Sequence, residues 1–552
     1  MSSSNPRQAR MEANLGALAA VQRPVAERLC GPVVDTHLSQ NATGGAMLQH
    51  RTRSLPLALD EGTRAGLLAD VEEGTEVFLF GAGDPQLLID LLSAGHKVVL
   101  WDRDLALIRH VFYTVELHEA IAHKRLRVLM GVDCLDVLER RNRYQLVAHP
   151  LLFALYASEA LLWELGVPKK FVCLCTGGLF IDDLAEAVRD MGYGVLPLEL
   201  LRVGTAEIDH TVRRANPVMI LGINYVKGIE ALGARHRTPV ACWEIDPTTD
   251  RILPAQGTTR WLHLFTYREA QVPAFESAGY ERVTYLPLAS NVSRRKPRAC
   301  TPDEQQRYGV SVAHVGSSMD AQARHFEASY LQAYKAWRGG TPEAEAEGRQ
   351  IMAEILASQR AEPCRYHVDT LMRERLGDFM AAMVERRPEL DITNWLAEMA
   401  ARDKRVDMMA RLASFDAHVW GDPGWKAVED SGVSYRGRAA HGDELTKIYS
   451  AARVQIDIGR IYQSDIITMR VFDVLACGGF LLAEHSEALE SCFEIGLELE
   501  SWRTPEELED KVAYYLEHSA EREAIAQRGL NAVRDRHRMR QRVKRIVGSI
   551  RG

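Results

Sequence analysis

The sequence predicts an α/β protein built from successive parallel sheets. A unit recurs along the chain, in which a short apolar run is followed by a glycine-containing turn and then by a helical pattern. This unit begins near Glu76, again at Lys170 and a third time at Ser311. Strands that alternate with helices form parallel sheets, and ligands bind such sheets beyond the carboxyl ends of their strands.

The length and composition are those of a multidomain globular protein. The chain has 552 residues, of which 46% are hydrophobic, and this length suits about three to four domains. A net charge of −8 argues against general affinity for nucleic acid. No apolar run approaches the ~18 residues of a membrane span, and Met1–Arg7 lacks the pattern of a secretion signal. Nine scattered cysteines form no paired framework, so we expect a cytoplasmic protein.

Residues 71–165 predict an accessory Rossmann-like domain. It follows an irregular lead-in over residues 1–70, whose first ten residues we expect to be disordered. The strand Val77–Phe80 leads into Gly81-Ala-Gly83, and the next strand ends in Asp102, about twenty residues after the glycines. Without a third glycine this fingerprint is weak, and the glycines alternatively serve only a tight turn.

Residues 168–300 predict a second Rossmann-like domain. Its first strand, Phe171–Cys175, is followed by a Thr-Gly-Gly turn and a helix. Further strands are predicted at Gly194–Leu198, Pro217–Gly222, Val240–Trp243 and Trp261–Thr266. Asp246 and Glu244 lie at a strand end and are candidates for a general base. The alternative is that Asp246 and the proline after it form an ordinary turn.

Residues 305–535 predict a third domain, reached through a polar linker. After the strand Ser311–Val315, Gly316 would let the backbone approach a ligand closely. Alternatively Ser317 or Ser318 caps the following helix, and both interpretations can hold together.

The remainder of this third domain is predicted as a helical insertion followed by further strands. Residues 322–415 are almost continuously helical in pattern. Strands are predicted after it at His418–Trp420, Val433–Gly437 and Val454–Gly459. Residues 536–552 form a basic C-terminal helix, which is either solvated or bridges domains.

The stretch Thr468–Glu484 carries the strongest signal. It predicts an amphipathic helix, a stop at Gly478-Gly479 and an inner strand at Phe480–Ala483. A helix N-terminus that follows a strand binds anions through its unpaired N–H groups. Arg470 in the first turn is unfavourable for the helix dipole, but it is well placed to meet a pyrophosphate.

Asp465, followed by Arg470-Val-Phe-Asp473-Val-Leu-Ala-Cys-Gly478, resembles the donor-binding motif of CgeB-like (spore-maturation type) glycosyltransferases. The spacing of the two acids also resembles the Glu-x7-Glu motif of related enzymes with two Rossmann-like domains. The resemblance implies that Asp465 lies near the donor sugar and that Asp473 binds the ribose hydroxyls. Aspartate in place of glutamate at 473 shortens the reach to a ribose. The alternative is that Asp465 caps the helix and Asp473 is an exposed surface charge.

This resemblance runs in order over residues 168–540 and implies a GT-B architecture, in which two Rossmann-like domains face a cleft. Residues 168–300 would form the acceptor side and residues 305–535 would bind a nucleotide sugar. The reaction would need no metal and no cofactor besides the donor. The implied catalytic residues are Asp246 and Asp465, and the implied binding residues are Arg470, Asp473, Gly316, Ser317, Tyr435 and Gly459.

The acceptor is predicted only as a class. Residues 71–165 resemble the N-terminal domain of Maf-type flagellin-modifying proteins, which implies a protein or surface-glycan acceptor. Two other functions stay open: a non-catalytic nucleotide-binding scaffold that kept the fold, and a methyltransferase-like enzyme that binds S-adenosylmethionine in the N-terminal domain. The sugar, the nucleotide base and the stereochemical course are not specified.

Overall fold

The computed structural model describes residues 6–34, 37–40, 46–50, 53–246, 252, 254–257 and 259–551. Its contacts divide the chain into two units, Met1–Cys242 and Trp243–Gly552. The division falls inside the strand Val240–Glu244.

The first unit opens with ordered structure where the sequence predicts an irregular lead-in. The helix Pro6–Val21 shows that the expected disorder is wrong for residues 6–10, while residues 1–5 lie outside the described part. The buried Asn14 explains this order, because its amide donates to the carbonyls of Phe112 and Val115 at 3.0 and 2.8 Å. A second helix, a three-stranded antiparallel sheet and a third helix follow, at Arg23–Leu29, Leu38–Gln40, Ala46–His50, Arg53–Pro56 and Glu61–Leu68.

A four-stranded parallel sheet, here called the N-terminal sheet, comes next. Its spatial order is Leu126–Met130, Lys97–Asp102, Glu76–Phe80 and Tyr144–Ala148. The chain order therefore reverses between the last two of these strands. The helices and 3-10 turns around the sheet are Pro85–Ser93, Leu105–Thr114, His118–Ala122, Gly131–Cys134, Leu135–Leu138, Arg141–Arg143, Pro150–Leu155 and Ala157–Leu165.

The rest of the first unit belongs to a second parallel sheet. The strand Phe171–Cys175 lies between Met219–Ile223 and Gly194–Leu198 and pairs with both in parallel. The helices of this region are Ile181–Arg189, Thr205–Ala215 and Ile229–His236.

The second unit begins with two paired parallel strands, Leu262–Thr266 and Val283–Tyr285. It continues into a six-stranded sheet, here called the C-terminal sheet, which is parallel throughout. The spatial order of this sheet is Ser434–Tyr435, Ala417–Trp420, Val312–Val315, Val454–Asp457, Leu481–Glu484 and Glu500–Trp502. In chain order this is 3-2-1-4-5-6, so the direction of winding reverses between the third and fourth positions.

Four long helices follow the first strand of the C-terminal sheet, as the pattern over residues 322–415 predicts. They are Asp320–Trp337, Pro342–Ala361, Val368–Arg386 and Thr393–Arg411. This helical block has its own core, which includes the buried side chains of Tyr330, Met372 and Phe379. The other helices and 3-10 turns of the unit are Glu269–Gln271, Val272–Ser277, Pro302–Tyr308, Ala413–Phe415, Pro423–Ser431, Asp443–Ala451, Met469–Ala476, Glu487–Cys492, Pro505–Glu517, Ser519–Arg536 and Met539–Arg551.

These elements confirm the α/β class with parallel sheets. The domain boundaries set from the sequence stay predictions. Within the described ranges, every helix is too short or too polar to cross a bilayer.

Candidate functional site

The candidate site lies where the winding of the C-terminal sheet reverses. The strands Val312–Val315 and Val454–Asp457 are neighbours there, and the chain leaves their carboxyl ends through residues 316–318 and 458–460. In doubly wound sheets the two loops diverge at this point and leave a crevice that binds ligands. We call this place the switch point.

Arg470 lies at the switch point, in the first turn of the helix Met469–Ala476. Its Nε donates to the Val315 carbonyl at 2.6 Å, and its Nη1 forms an ion pair with Asp457. The Thr468 hydroxyl also donates to Asp457, at 3.0 Å, and does not cap the helix. The first N–H groups of the helix therefore have no side-chain cap, which favours an anion.

Glycine is required at position 316 because another side chain of the protein occupies the space that a Cβ would need. A Cβ at this position would collide with the Arg470 guanidinium and would lie 3.0 Å from His314 Nε2. The Gly316 carbonyl accepts a hydrogen bond from the Trp425 indole at 2.8 Å. The sequence predicts that a ligand approaches the Gly316 backbone closely, whereas in the structure the Arg470 side chain does so.

Arg405 is a site residue that the sequence did not reveal. It projects from the helix Thr393–Arg411 and is 5% exposed. Its Nη1 donates to the Ser317 carbonyl at 2.7 Å and its Nη2 to the Ile458 carbonyl at 3.3 Å. Burial, together with the charges of Arg470 and Arg460, lowers the pKa of Arg405 to about 9. An anion bound here would therefore relieve both the desolvation and the repulsion of this guanidinium.

His314 is buried beside these arginines. Its Nδ1 lies 2.9 Å from the Ile456 carbonyl, and because a carbonyl only accepts, Nδ1 carries the hydrogen. Burial and the charges of Arg470 and Arg405 hold the pKa of His314 well below its usual value, so the ring is neutral. Among the described residues, His314 Nε2 and Arg405 Nε are buried without a hydrogen-bond partner. Such atoms cost about 1–3 kcal/mol each and concentrate at functional sites.

Asp465 is held by an arginine. Arg268 donates to it through Nε at 3.1 and 3.2 Å and through Nη2 at 2.7 Å. Asp465 and Asp246 also both act on the buried Tyr267. Burial raises the pKa of the Tyr267 hydroxyl, the charges of Arg268 and Arg460 lower it, and the two carboxylates raise it further. Both residues predicted as catalytic therefore influence Tyr267, and their catalytic roles stay predictions.

Asp473 lies on the same helix as Arg470 but contacts a different segment. Its carboxylate accepts from Ser290 Oγ at 2.6 Å and from Arg295 Nε at 3.1 Å. The side chain is 13% exposed, so it is no free surface charge. The contact ties the helix Met469–Ala476 to the residues that follow Val283–Tyr285. The ribose-binding role of Asp473 stays a prediction.

The other predicted binding residues lie at the carboxyl edge of the C-terminal sheet, and each contacts a protein group. The Tyr435 hydroxyl donates to the Gly421 carbonyl at 3.2 Å, and Ser317 Oγ donates to Asp422 at 2.9 Å. The Gly459 N–H donates to Glu484 at 3.0 Å. Asp422 and Glu484 are thus two carboxylates of this edge that sequence reasoning missed.

A buried polar cluster from the helical block adjoins the switch point. Glu398 is fully buried and contacts the Tyr462 hydroxyl and, at 3.4 Å, Arg460 Nη1. One Glu398 oxygen is buried without a partner in the described part of the chain. Nearby, the buried Lys404 forms an ion pair with Glu484. No sequence signal marks these residues, since charges on a helical pattern usually indicate a solvated face.

The corresponding crevice of the N-terminal sheet is filled by protein. A Cβ on Gly83 would lie 2.7 Å from His149 Nε2, and one on Gly81 would lie 2.8 Å from Leu152 Cδ1. Asp102 accepts from the Ala82 N–H at 2.7 Å, and burial followed by the charge of Asp104 raises its pKa to about 7. The glycines therefore make room for His149 and Leu152, which favours the structural interpretation of the Gly-Ala-Gly turn.

A family model described as glycosyl transferase-like matches residues 402–548. The matched range contains Arg405, Asp465, Arg470 and Asp473. No curated protein matches the chain.

Several solved structures are similar to the chain at low identity. Anabaena Alr3699/HepE in complex with UDP and glucose is 12% identical, with a TM-score of 0.41, over 69% of this chain and 100% of that chain. A glycosyltransferase from Rickettsia africae ESF-5 is 8% identical, with a TM-score of 0.38, over 87% and 99% of the two chains. T4 phage BGT in complex with UDP-glucose is 11% identical, with a TM-score of 0.37, over 69% and 98%.

Proposed function

We propose that this protein is a GT-B glycosyltransferase that moves a sugar from a nucleotide-sugar donor to a protein or glycan acceptor. One observation carries the proposal. The buried Arg405 and the helix-start Arg470, which both lie inside the range that matches the glycosyl transferase-like family model, converge on the switch point of a 3-2-1-4-5-6 parallel sheet.

The donor diphosphate would bind between these arginines and the uncapped helix N-terminus at Met469. Guanidinium groups suit phosphate because their planar fork donates two parallel hydrogen bonds. The positive end of the helix dipole adds to this attraction. As the diphosphate leaves, the same groups would stabilise its growing charge without a metal.

The reaction breaks the bond between the sugar C1 and a diphosphate oxygen, and the diphosphate leaves with the bonding electron pair. The acceptor hydroxyl oxygen forms the new bond to C1 and gives up its proton. In an inverting reaction Asp246 would accept that proton as general base. Asp465, oriented by Arg268, would face the donor sugar.

The first test is a thermal-shift panel of UDP, GDP, TDP, CDP, CMP and S-adenosylmethionine. A ligand at a hundred times its dissociation constant adds about 2.7 kcal/mol to the free energy of unfolding. We expect one nucleoside diphosphate to raise the melting temperature of the wild type but not of Arg470→Ala. Arg349→Ala, a change at an exposed arginine of the helical block, should keep the full shift.

Arg470→Ala also loses the bonds to Val315 and Asp457, so its melting temperature without ligand should fall. The quantity to compare is therefore the ligand-induced shift of each variant. If no nucleotide stabilises the wild type, the donor site is wrong.

Turnover separates the enzyme from a non-catalytic scaffold. With the stabilising nucleotide identified, its UDP-, GDP-, TDP- or CDP-sugar is incubated with the protein, and release of free nucleotide is measured with and without a glycan or protein acceptor. We expect release by the wild type and at least about a hundredfold less by Asp465→Asn. Binding without any release would favour the scaffold.

A further inference from the structure

The first unit contains a basic groove that the proposed function does not use. It is an open cavity of about 800 Å³, within the range of ligand sites. Its charged lining consists of Arg140, Arg141, Arg143, Lys169, Arg214 and Glu139. Five cations and one carboxylate thus line one cavity of a protein whose net charge is −8.

Most of this positive charge is not neutralised by the protein. Arg214 is bound by Asp136 at 3.1 Å and by Glu139 at 3.3 Å. By contrast, the exposed side chains of Arg140, Arg143 and Lys169 have no carboxylate within 4 Å in the described part of the chain. Like charges held in a cleft focus the potential and attract anions.

The cations sit on a defined backbone. Arg141–Arg143 forms a 3-10 turn immediately before the strand Tyr144–Ala148 of the N-terminal sheet. Arg141 Nη1 donates to the Trp163 carbonyl at 2.6 Å, and the same guanidinium lies against Gly166. A preformed turn lowers the entropy that a ligand must overcome to bind.

The groove also has a small apolar part that a ligand can reach, formed by the half-buried Val167 and Pro168. Arginines predominate over lysine among the cations, and their planar forks can pair with carboxylates through two parallel hydrogen bonds, as they can with phosphates. Bases of nucleic acids need exposed aromatic faces for stacking, whereas Phe171 is 7% exposed.

We propose that this groove binds an acidic segment of a polypeptide. Carboxylates of the segment would pair with Arg140, Arg143 and Lys169, and its apolar side chains would contact the apolar part of the groove. The proposal is independent of the donor site, and either can fail without the other.

The test is fluorescence anisotropy of the full chain with a fluorescein-labelled peptide of four Glu-Glu-Leu repeats. We expect saturable binding that weakens steadily between about 50 and about 300 mM salt. The triple variant Arg140→Glu, Arg143→Glu, Lys169→Glu should weaken binding at least about tenfold.

A matched triple variant, Lys97→Glu, Lys124→Glu, Lys227→Glu, controls for overall charge. These lysines are also exposed, lie in the same unit and have no carboxylate within 4 Å among the described residues, but they do not line the groove. We expect a loss of no more than about twofold for the control, because its charges act only at long range. An equal loss in both variants would overturn the proposal.

Two further outcomes contradict the assignment. Absence of peptide binding at low salt would overturn it, and so would tighter binding of a dodecathymidylate or of polyphosphate than of the peptide. Thermal melting checks that the variants are folded. If the charge-reversed groove variant is unfolded, the glutamine variants at the same three positions replace it, with at least about fivefold weakening expected.

Discussion

At the scale of single residues, the site depends on which charges the fold buries. Arg405 and His314 are both buried at the switch point, and their pKa values are lowered by burial and by neighbouring arginines. The buried Arg405 is unfavourable by itself, since it is desolvated and is repelled by the charges of Arg470 and Arg460. A bound diphosphate would convert this repulsion into attraction.

The role of Asp473 can be tested directly. The proposed function assigns Asp473 to binding the ribose, whereas in the structure its carboxylate accepts hydrogen bonds from Ser290 and Arg295. We expect Asp473→Asn to weaken the binding of the stabilising nucleoside diphosphate about tenfold and to leave the binding of inorganic pyrophosphate unaffected, since pyrophosphate has no ribose. Isothermal titration with both ligands measures this. Ser290→Ala, which keeps the carboxylate, is the control. Unchanged nucleotide affinity in Asp473→Asn would leave the residue a purely structural role.

The sequence predicts those residues of the candidate site whose positions depend only on local sequence patterns. Gly478, with a φ of 75°, ends its helix as the Gly-Gly pair predicts, and Arg470 lies in the first turn of that helix as the apolar spacing predicts. Arg405, Glu398 and Lys404 carry no such signal. Their burial depends on how the helical block packs against the C-terminal sheet, and a helical pattern with charged positions does not encode that contact.

At the scale of elements, local patterns predicted most strands to within one or two residues. The strand Glu500–Trp502 was not predicted, because three residues are too few to show the alternation of a strand. The helix Pro6–Val21 was not predicted, because its order depends on hydrogen bonds from Asn14 to the carbonyls of Phe112 and Val115, which are distant in sequence. The pattern over residues 521–551 predicts continuous helix, yet the structure ends one helix at Arg536 and starts the next at Met539.

We expect acid to weaken the contacts that hold the C-terminal helix Met539–Arg551 in place. His537 Nε2 lies 3.1 Å from the Cys492 carbonyl, so this nitrogen donates, and Nδ1 accepts from Arg542 at 2.8 Å. Protonating Nδ1 would turn it into a donor facing another donor. Burial, followed by the charge of Arg542, lowers the pKa of His537 to about 4 from an ordinary 6.5.

Because this folded-state pKa is depressed, the stabilisation is complete above about pH 6.5 and is lost as pH falls towards 4, a change on the order of 1–3 kcal/mol. Arg542 anchors the helix to the Pro287 and Leu288 carbonyls. We therefore expect faster hydrogen exchange in residues 539–551 at pH 5 than at pH 7, after correction for intrinsic rates. His537→Gln retains one donor and one acceptor and should flatten this dependence. An equally steep dependence in that variant would assign the effect to another group.

At the scale of the whole molecule, the N-terminal and C-terminal sheets each have a reversal point where a ligand could bind, and they differ in what occupies it. In the N-terminal sheet His149 and Leu152 fill the space that Gly81 and Gly83 leave. In the C-terminal sheet the reversal is lined by Arg405 and Arg470, with polar atoms that have no partner among the described residues. Fold alone does not decide between the two crevices, but their side chains do.

Hydrogen exchange across the full chain tests this difference directly. With the stabilising nucleotide at saturation, we expect protection in residues 312–318, 454–460 and 466–473, because the diphosphate would contact the loops and helix start at the switch point. Peptides covering residues 76–84 and 144–152 should exchange at an unchanged rate. Arg470→Ala, examined at the same nucleotide concentration, should lose the protection. Protection by S-adenosylmethionine over residues 76–84 would instead favour the methyltransferase-like alternative, since the ligand would then have to displace His149 from the N-terminal crevice.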